Sequence, residues 1–163
     1  RRVFVMSYNR VSACIEVAED GGSARMAWRG NSRRGIGGVF NTAIIQSGHV
    51  YAGGQGGKYL CARLSDGEQL WSTFAPSTGG RPASWANVFT VRNGSRFFLA
   101  NDLGELVIAR LNPAGYEELS RAKLIEPTHR VGRRLLVWSH PAFANRSIYL
   151  RNDREIRCYS LAD

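Results

Sequence analysis

Gly53 to Lys58 (GGQGGK) is the stretch whose residue types most invite chemistry. A phosphate-cradling loop needs a glycine, four free positions, then Gly-Lys and a hydroxyl residue to meet Mg²⁺. Here Ala52 stands where the first glycine belongs and Tyr59 where the Ser or Thr belongs, so the loop cannot do that work. Its glycines read instead as a tight turn needing positive φ. The three histidines, His49, His129 and His140, are too widely spaced for a metal site, and no Cys or His pair has zinc-ligand spacing. Ser139 and His140 are adjacent, so on a strand their side chains point to opposite faces, which argues against a nucleophile–base pair. His140 reads as structural.

What positions these residues is a repeat. Cys61-Ala62-Arg63-Leu64 is preceded 47 residues earlier by Cys14-Ile15-Glu16-Val17 and followed 47 later by Ile108-Ala109-Arg110-Leu111. Cys158-Tyr159-Ser160-Leu161 comes after another 50. A period of roughly 40–50 residues carrying about four short strands is the signature of a propeller blade. Alternation agrees: Leu60, Ala62 and Leu64 share one strand face, matched by Val107, Ala109 and Leu111, while Tyr59, Cys61 and Arg63 share the other. No stretch keeps a helical period with caps.

The expected fold is therefore all-β, a partial β-propeller of four-stranded antiparallel blades, about three and a half in 163 residues, forming one domain. The blades fall at 1–29, 39–75, 84–125 and 135–163. Strands are expected to open at Asn41, Trp85 and Leu135, the last running to Ala144. Polar links run from Arg29 to Gly38, Pro76 to Pro82 and Glu126 to Arg134. The first blade lacks an inner strand and the last an outer one. Since propellers close with roughly four to eight blades, the expectation is a piece of a longer protein, with pairing of two copies through their open ends as the alternative.

Cys14, Cys61 and Cys158 occupy one repeat position, each mid-strand in a packed sheet. Equivalent points of neighbouring sheets lie ~10 Å apart, beyond the ~7 Å Cα separation a disulfide tolerates. All three read as small buried hydrophobes. Trp28 and Trp71 end equivalent units, Gly57 and Gly104 mark equivalent turns 47 residues apart, and Gly67 marks the following turn of its blade; these five carry the structural repeat. Trp85 and Trp138 are placed at the start of inner strands with an inter-blade packing role, a ring under a flat cofactor being the sharper alternative. Asn93-Gly94-Ser95 and Asn145-Arg146-Ser147 match a glycosylation sequon but read as hairpin turns.

The apolar fraction of 44% is that of a globular chain, and no run approaches the ~20 apolar residues of a membrane helix. Net charge is +9, and only Lys58 and Lys123 among the 22 basic residues are not arginine. Arg33, Arg34, Arg81, Arg130, Arg133 and Arg134 fall in or beside the links, which in a propeller emerge on one face of the disc. These six are the candidate binding residues, a basic face for an anionic ligand or partner; the competing reading is a solvated rim.

The series Gly48, Val50, Tyr51, Gly57, Tyr59, Leu60, Ala62, Leu64, Asp66, Gly67, Leu70 and Trp71 resembles the repeat of pyrroloquinoline-quinone (PQQ)-like β-propellers. Degenerate copies lie at Val3–Trp28, Arg96–Leu119 and Ser147–Leu161. Trp71–Pro82 and Trp138–Asn145 are further similar to large planctomycete-type bacterial repeat proteins, grouped with the BamB-like propeller of outer-membrane protein assembly. The resemblance implies an exported, periplasmic or cell-envelope scaffold that binds a protein partner and needs no cofactor. The other branch of the family, quinoprotein dehydrogenases that oxidise alcohols or sugars with PQQ and Ca²⁺, is the alternative. Its characteristic Cys-Cys pair is absent, and no Ca²⁺-ligand set or catalytic Asp is matched, so no catalytic or metal residue is assigned. Nucleic-acid binding ranks third: the charge suits it, but no recognised module is present.

Overall fold

The computed structural model describes residues 1–8, 11–31, 36–38 and 40–162. Four antiparallel sheets follow one another along the chain. Blade 1 is β1 (Arg2–Ser7), β2 (Val11–Val17) and β3 (Ala24–Arg29); blade 2 is β4 (Ile44–Gln46), β5 (His49–Gly53), β6 (Tyr59–Arg63) and β7 (Gln69–Thr73). Blade 3 is β8 (Val88–Asn93), β9 (Arg96–Asn101), β10 (Glu105–Asn112) and β11 (Gly115–Lys123). A hairpin of β12 (His129–Val131) and β13 (Arg134–Leu136) precedes blade 4, which is β14 (Ala142–Ala144), β15 (Ser147–Arg151) and β16 (Ile156–Ser160). Each sheet pairs its strands in sequence order, so every connection is a hairpin. Several tips need left-handed backbone, as at Ser47–Gly48 (φ 47 and 74°) and Asn145–Arg146 (φ 50 and 53°), the turn geometry that matches strand twist.

Each blade has two faces of different make. One carries an aromatic residue on the second strand directly opposite a Cys or Ile on the third: Phe4↔Cys14, Tyr51↔Cys61, Phe98↔Ile108 and Tyr149↔Cys158. We call this the leading face. The trailing face is aliphatic apart from Phe97: Val50, Ala52, Leu60, Ala62 and Leu64 in blade 2, and Phe97, Leu99, Val107, Ala109 and Leu111 in blade 3. Three apolar cores form where a leading face meets the next trailing face. Cys14 and Phe4 pack on Val50 and Ala62; Tyr51 and Cys61 on Phe97 and Ala109; Phe98 and Ile108 on Ile148 and Leu150. The order of junctions is thus uniform along the chain, and no single sheet buries itself.

At the rim a tryptophan clasps the next blade. Trp28 Nε1 donates to Leu64 O at 2.8 Å, and Trp71 Nε1 donates to Asn112 O at 2.8 Å. Gly67 is required beneath the first clasp: its φ is +75°, and a Cβ there would lie 2.9 Å from the Trp28 ring. Gly104 (φ +81°) is required where blade 3 receives its outgoing chain, since a Cβ would lie 1.9 Å from Ile125 O. Gly57 closes the 3-10 turn Gln55–Gly57, the tight turn expected of the glycine run.

Four expectations are corrected. The link Glu126–Arg134 and the strand Leu135–Ala144 are replaced by the β12–β13 hairpin and the short β14. Gly132 (φ +58°) turns the chain back, and Pro141 withholds a ladder N–H until Ala142. Blade 3 opens at Val88 rather than Trp85, whose φ of +65° is incompatible with an extended strand; Trp85 and Trp138 therefore lie in the links, not in strands. The Pro76–Pro82 link begins with a single helical turn, α1 (Ala75–Thr78), stopped by Gly79 at φ +76°. Cys158 is exposed, because its leading face has no following blade among the described residues, whereas Cys14 and Cys61 are buried.

Replacing Gly67 by Val is expected to lower unfolding free energy by about 2 kcal/mol or more, through left-handed backbone strain and displacement of Trp28. Denaturant titration measures it, and an unchanged midpoint would show that the clasp contributes nothing.

Candidate binding face formed by the inter-blade links

A buried polar hub lies beneath the links. Asn41, just before β4, donates through Nδ2 to Asn87 Oδ1 at 2.8 Å, joining blades 2 and 3. Room for Asn41 exists only because residues 38 and 53 are glycine; a Cβ at either would fall within 2.1–2.5 Å of its amide. Asp102, in the β9–β10 turn, is fully buried. Its backbone N–H donates to Asn87 O at 3.2 Å, and its carbonyl accepts from Val137 N at 2.8 Å, so the one residue ties blade 3 to the chain entering blade 4.

The Asp102 carboxylate faces one cation. Arg134 Nη2 stands 2.9 Å from Oδ2, while Arg134 Nη1 donates to Ser84 O at 2.6 Å. The close contact is ionic rather than an aligned hydrogen bond, and neither Asp102 oxygen has an in-line donor among the described residues. Burial outweighs Arg134 and pushes the Asp102 carboxyl up to about 6. The hairpin β12–β13 is thereby latched across the link that carries Trp85.

Above the hub the links form an aromatic floor. Trp85 stacks on Tyr8 (centroids 6.1 Å, 7° between planes) and meets Trp138 edge-on at 6.5 Å. Phe40 meets Trp138 edge-on at 5.0 Å, and His129 leans on the other side at 5.8 Å. Phe40 and Trp85 remain 51% and 41% exposed, although large rings in contact ordinarily bury one another further. Trp138 Nε1 is buried without an acceptor among the described residues. A cavity of about 390 Å³ opens beside the floor between Tyr8, Pro82, Ser84 and Trp85.

Of the predicted basic residues, Arg33 and Arg34 lie outside the described residues. Arg81, Arg130 and Arg133 are exposed, and no carboxylate lies within ion-pair distance of them among the described residues. Arg134 is held by Asp102 and Ser84. Carboxylates elsewhere are engaged at the periphery: Glu16 with Arg2 and Arg25, Glu105 and Glu118 with Arg121, Glu155 with Arg157. Arg81, Arg130 and Arg133 are thus without a carboxylate partner among the described residues, while the Asp153 carboxylate stands 3.5 Å from His129 Nδ1 and lines a cavity with Trp138. Sequence reasoning missed Tyr8, Phe40 and Asp102. A signal for the floor existed: one aromatic stands three or four residues before the first strand of three successive blades, as Phe40 before Ile44, Trp85 before Val88 and Trp138 before Ala142.

Ser139 Oγ donates to Arg151 O at 2.5 Å, and His140 lies in a link with its ring 4.0 Å from that of Phe89, so the two do not form a catalytic pair. Burial raises the Cys14 thiol and pushes that of Cys61 up to about 11, which keeps both inert. Among the described residues no three His, Cys, Asp or Glu side chains converge, and the one buried carboxylate of the hub already faces a guanidinium. One face of the Trp85 ring is covered by Tyr8. What the described residues place together here is a set of rings in mutual contact, Tyr8, Phe40, Trp85, His129 and Trp138, with Phe40 and Trp85 exposed.

No protein-family model matches the sequence, and none of the curated proteins matches it. The structure is similar to that of BamB from Moraxella catarrhalis, with a TM-score of 0.58 over 97% of this chain and 45% of that one at 10% identity. It is also similar to a europium-containing methanol dehydrogenase, with a TM-score of 0.50 over 77% of this chain and 23% of that one at 11% identity. At such identities the likeness establishes the fold, a partial β-propeller, and this chain spans less than half the length of either structure. Among the described residues no helix is long and apolar enough to cross a membrane.

The latch makes a pH-dependent prediction. Asp102 titrates near 6 when folded and near ~3.9 when unfolded. The folded state therefore binds more protons in that window, and the Asp102 contribution to stability declines as pH rises from about 4 to about 6 and is level above. Removing the cation removes what lowers the Asp102 carboxyl, so at pH 7 the variant must bury a lone charge or take up a proton, whereas at pH 4 the acid is neutral in both proteins. Arg134→Ala is accordingly expected to cost about 3 kcal/mol at pH 7 and clearly less at pH 4. Denaturant titrations of both proteins at the two pH values check this; an equal cost at both would show that the ion pair is not what holds the hairpin.

Proposed function

We propose that this chain is a non-catalytic propeller module of the bacterial cell envelope that holds a protein partner on its link face. The observation that carries the reading is the exposed aromatic floor of Tyr8, Phe40, Trp85 and Trp138 beside the free guanidinium groups of Arg81, Arg130 and Arg133. A rigid aromatic centre with a basic edge suits a partner segment that brings apolar side chains to the rings and carboxylates to the edge. Arg33 and Arg34 belong to the same link series by sequence and lie outside the described residues. The envelope location is supported by the PQQ-like repeat and by the structural likeness to BamB. The likeness to a methanol dehydrogenase is what a quinoprotein reading would rest on, but the residues of the hub do not favour it.

The test is capture from envelope extracts by the immobilised chain, with quantitative mass spectrometry. Trp85→Ala, and separately Arg130→Glu with Arg133→Glu, are expected to lower recovery of the partner about tenfold or more, while Glu68→Ala on the β6–β7 rim turn leaves it unchanged. Equal recovery by all variants would overturn the assignment of this face. Titration with PQQ plus Ca²⁺ is run in parallel; stoichiometric uptake with dye-linked alcohol oxidation would replace the platform reading by a quinoprotein one.

A further inference from the structure

Two of the three blade junctions are closed at the rim by a tryptophan, and the third is not. Trp28 stands opposite Cys14, Trp71 opposite Cys61 and Ser120 opposite Ile108, and in each pair of strands the same register break follows. At the first junction the Trp28 ring meets Phe4, with centroids 5.9 Å apart, and bonds to the Leu64 carbonyl. Their counterparts at the junction of blades 3 and 4 are Phe98, which stands opposite Ile108, and Leu161. Leu161 N donates to Arg146 O as Leu64 N donates to Gly48 O. Both counterparts line a cavity of about 490 Å³, the size of a small-molecule site. Blade 4 is tied to blade 3 instead by Tyr159, whose hydroxyl donates to Leu124 O at 2.5 Å.

The lining divides by chemistry. Phe98 stacks on Phe143 at 5.4 Å, and with Val91 and Leu161 these rings make an apolar wall. Arg92 and Arg146 complete the lining from two hairpin tips. No carboxylate lines the cavity, and none stands within ion-pair distance of either arginine among the described residues. Arg146 is held at φ 53°, where the matching tip position of blade 2 is Gly48 at 74°. A side chain is strained in that conformation, and no ion pair of Arg146 offsets the strain. We propose that this cavity binds a small aromatic carboxylate. Its ring enters between Phe98 and Leu161, where the first junction holds an indole of its own, and its carboxylate is received by the guanidinium groups of Arg92 and Arg146. Guanidinium and carboxylate match in shape and charge, and an aromatic ring gains from offset or edge contact with the phenyl pair. The tips lie at the far end of the strands from the links, so the inference stands apart from the link-face reading.

Isothermal titration of the chain with indole-3-propionate at neutral pH tests this. Saturable binding is expected, with a dissociation constant of about 1 mM or below for a ligand of this size. Tryptamine carries the same ring with the opposite charge and is expected to bind more weakly by about tenfold or more. Arg146→Gly gives the tip the residue that blade 2 has there and relieves its strain. It is expected to weaken binding of the acid about tenfold without lowering the unfolding midpoint, so a loss of fold cannot account for the effect. Ser120→Trp gives the third junction a clasp from the chain itself and is expected to abolish binding by filling the cavity. No saturable uptake of the acid up to about 10 mM, tryptamine bound as tightly as the acid, or an affinity unchanged by Arg146→Gly or by Ser120→Trp would each overturn the inference.

Discussion

A four-stranded blade has two apolar faces and can cover neither by itself; everything else in this protein follows from that constraint. It requires a neighbour on each side, and so it fixes the make of both faces. Aromatic–cysteine pairs look one way and aliphatic rows the other, and the three cores form only where these meet. The same requirement explains why the third strands of blades 2 and 3, which have a neighbour on both sides, are apolar on both faces, as Tyr59 to Ala62 and Leu106 to Ala109 are, while outer strands such as β11 are largely exposed.

The polar hub meets a different need. Near the axis the links must turn sharply, and backbone and amide groups end up buried where no strand ladder can satisfy them. Asn41, Asn87 and Asp102 answer them from side chains and turns, and Arg134 brings the countercharge from a hairpin that lies outside the blades. The cost of burying Asp102 shows as its raised titration, and the benefit is a link held rigidly enough to support Trp85 in a left-handed conformation. Rigid presentation of rings is what gives a flat binding surface its affinity, since little side-chain freedom remains to be lost.

Most of the architecture was legible in the sequence because it rests on local period. Cys14, Cys61, Ile108 and Cys158 recur at the spacing of a blade, and alternation around them assigns each strand face. The strand ends at Trp85 and Leu135 were not legible, because a left-handed tryptophan and a glycine turn inside a polar link leave no period to read. The link arginines were readable as a group, but the role of Arg134 depends on Asp102, thirty-two positions away in another blade. The aromatic floor had the same difficulty: Tyr8, Phe40 and Trp85 come from three blades and meet only once those blades are stacked.

The rim clasps carry a consequence of another sort. Each tryptophan bonds to a main-chain carbonyl, of Leu64 in one case and Asn112 in the other, residues with nothing in common but their place beside a turn. Such a bond recognises the path of the backbone and is indifferent to the side chain. A blade copied, shuffled or drifting in sequence therefore keeps its grip on its neighbour without any matched change in that neighbour. This freedom from paired substitution lets repeats diverge in sequence as these have while a clasp of the same kind is kept at two successive junctions. It leaves the links between blades free to change without loosening the stack.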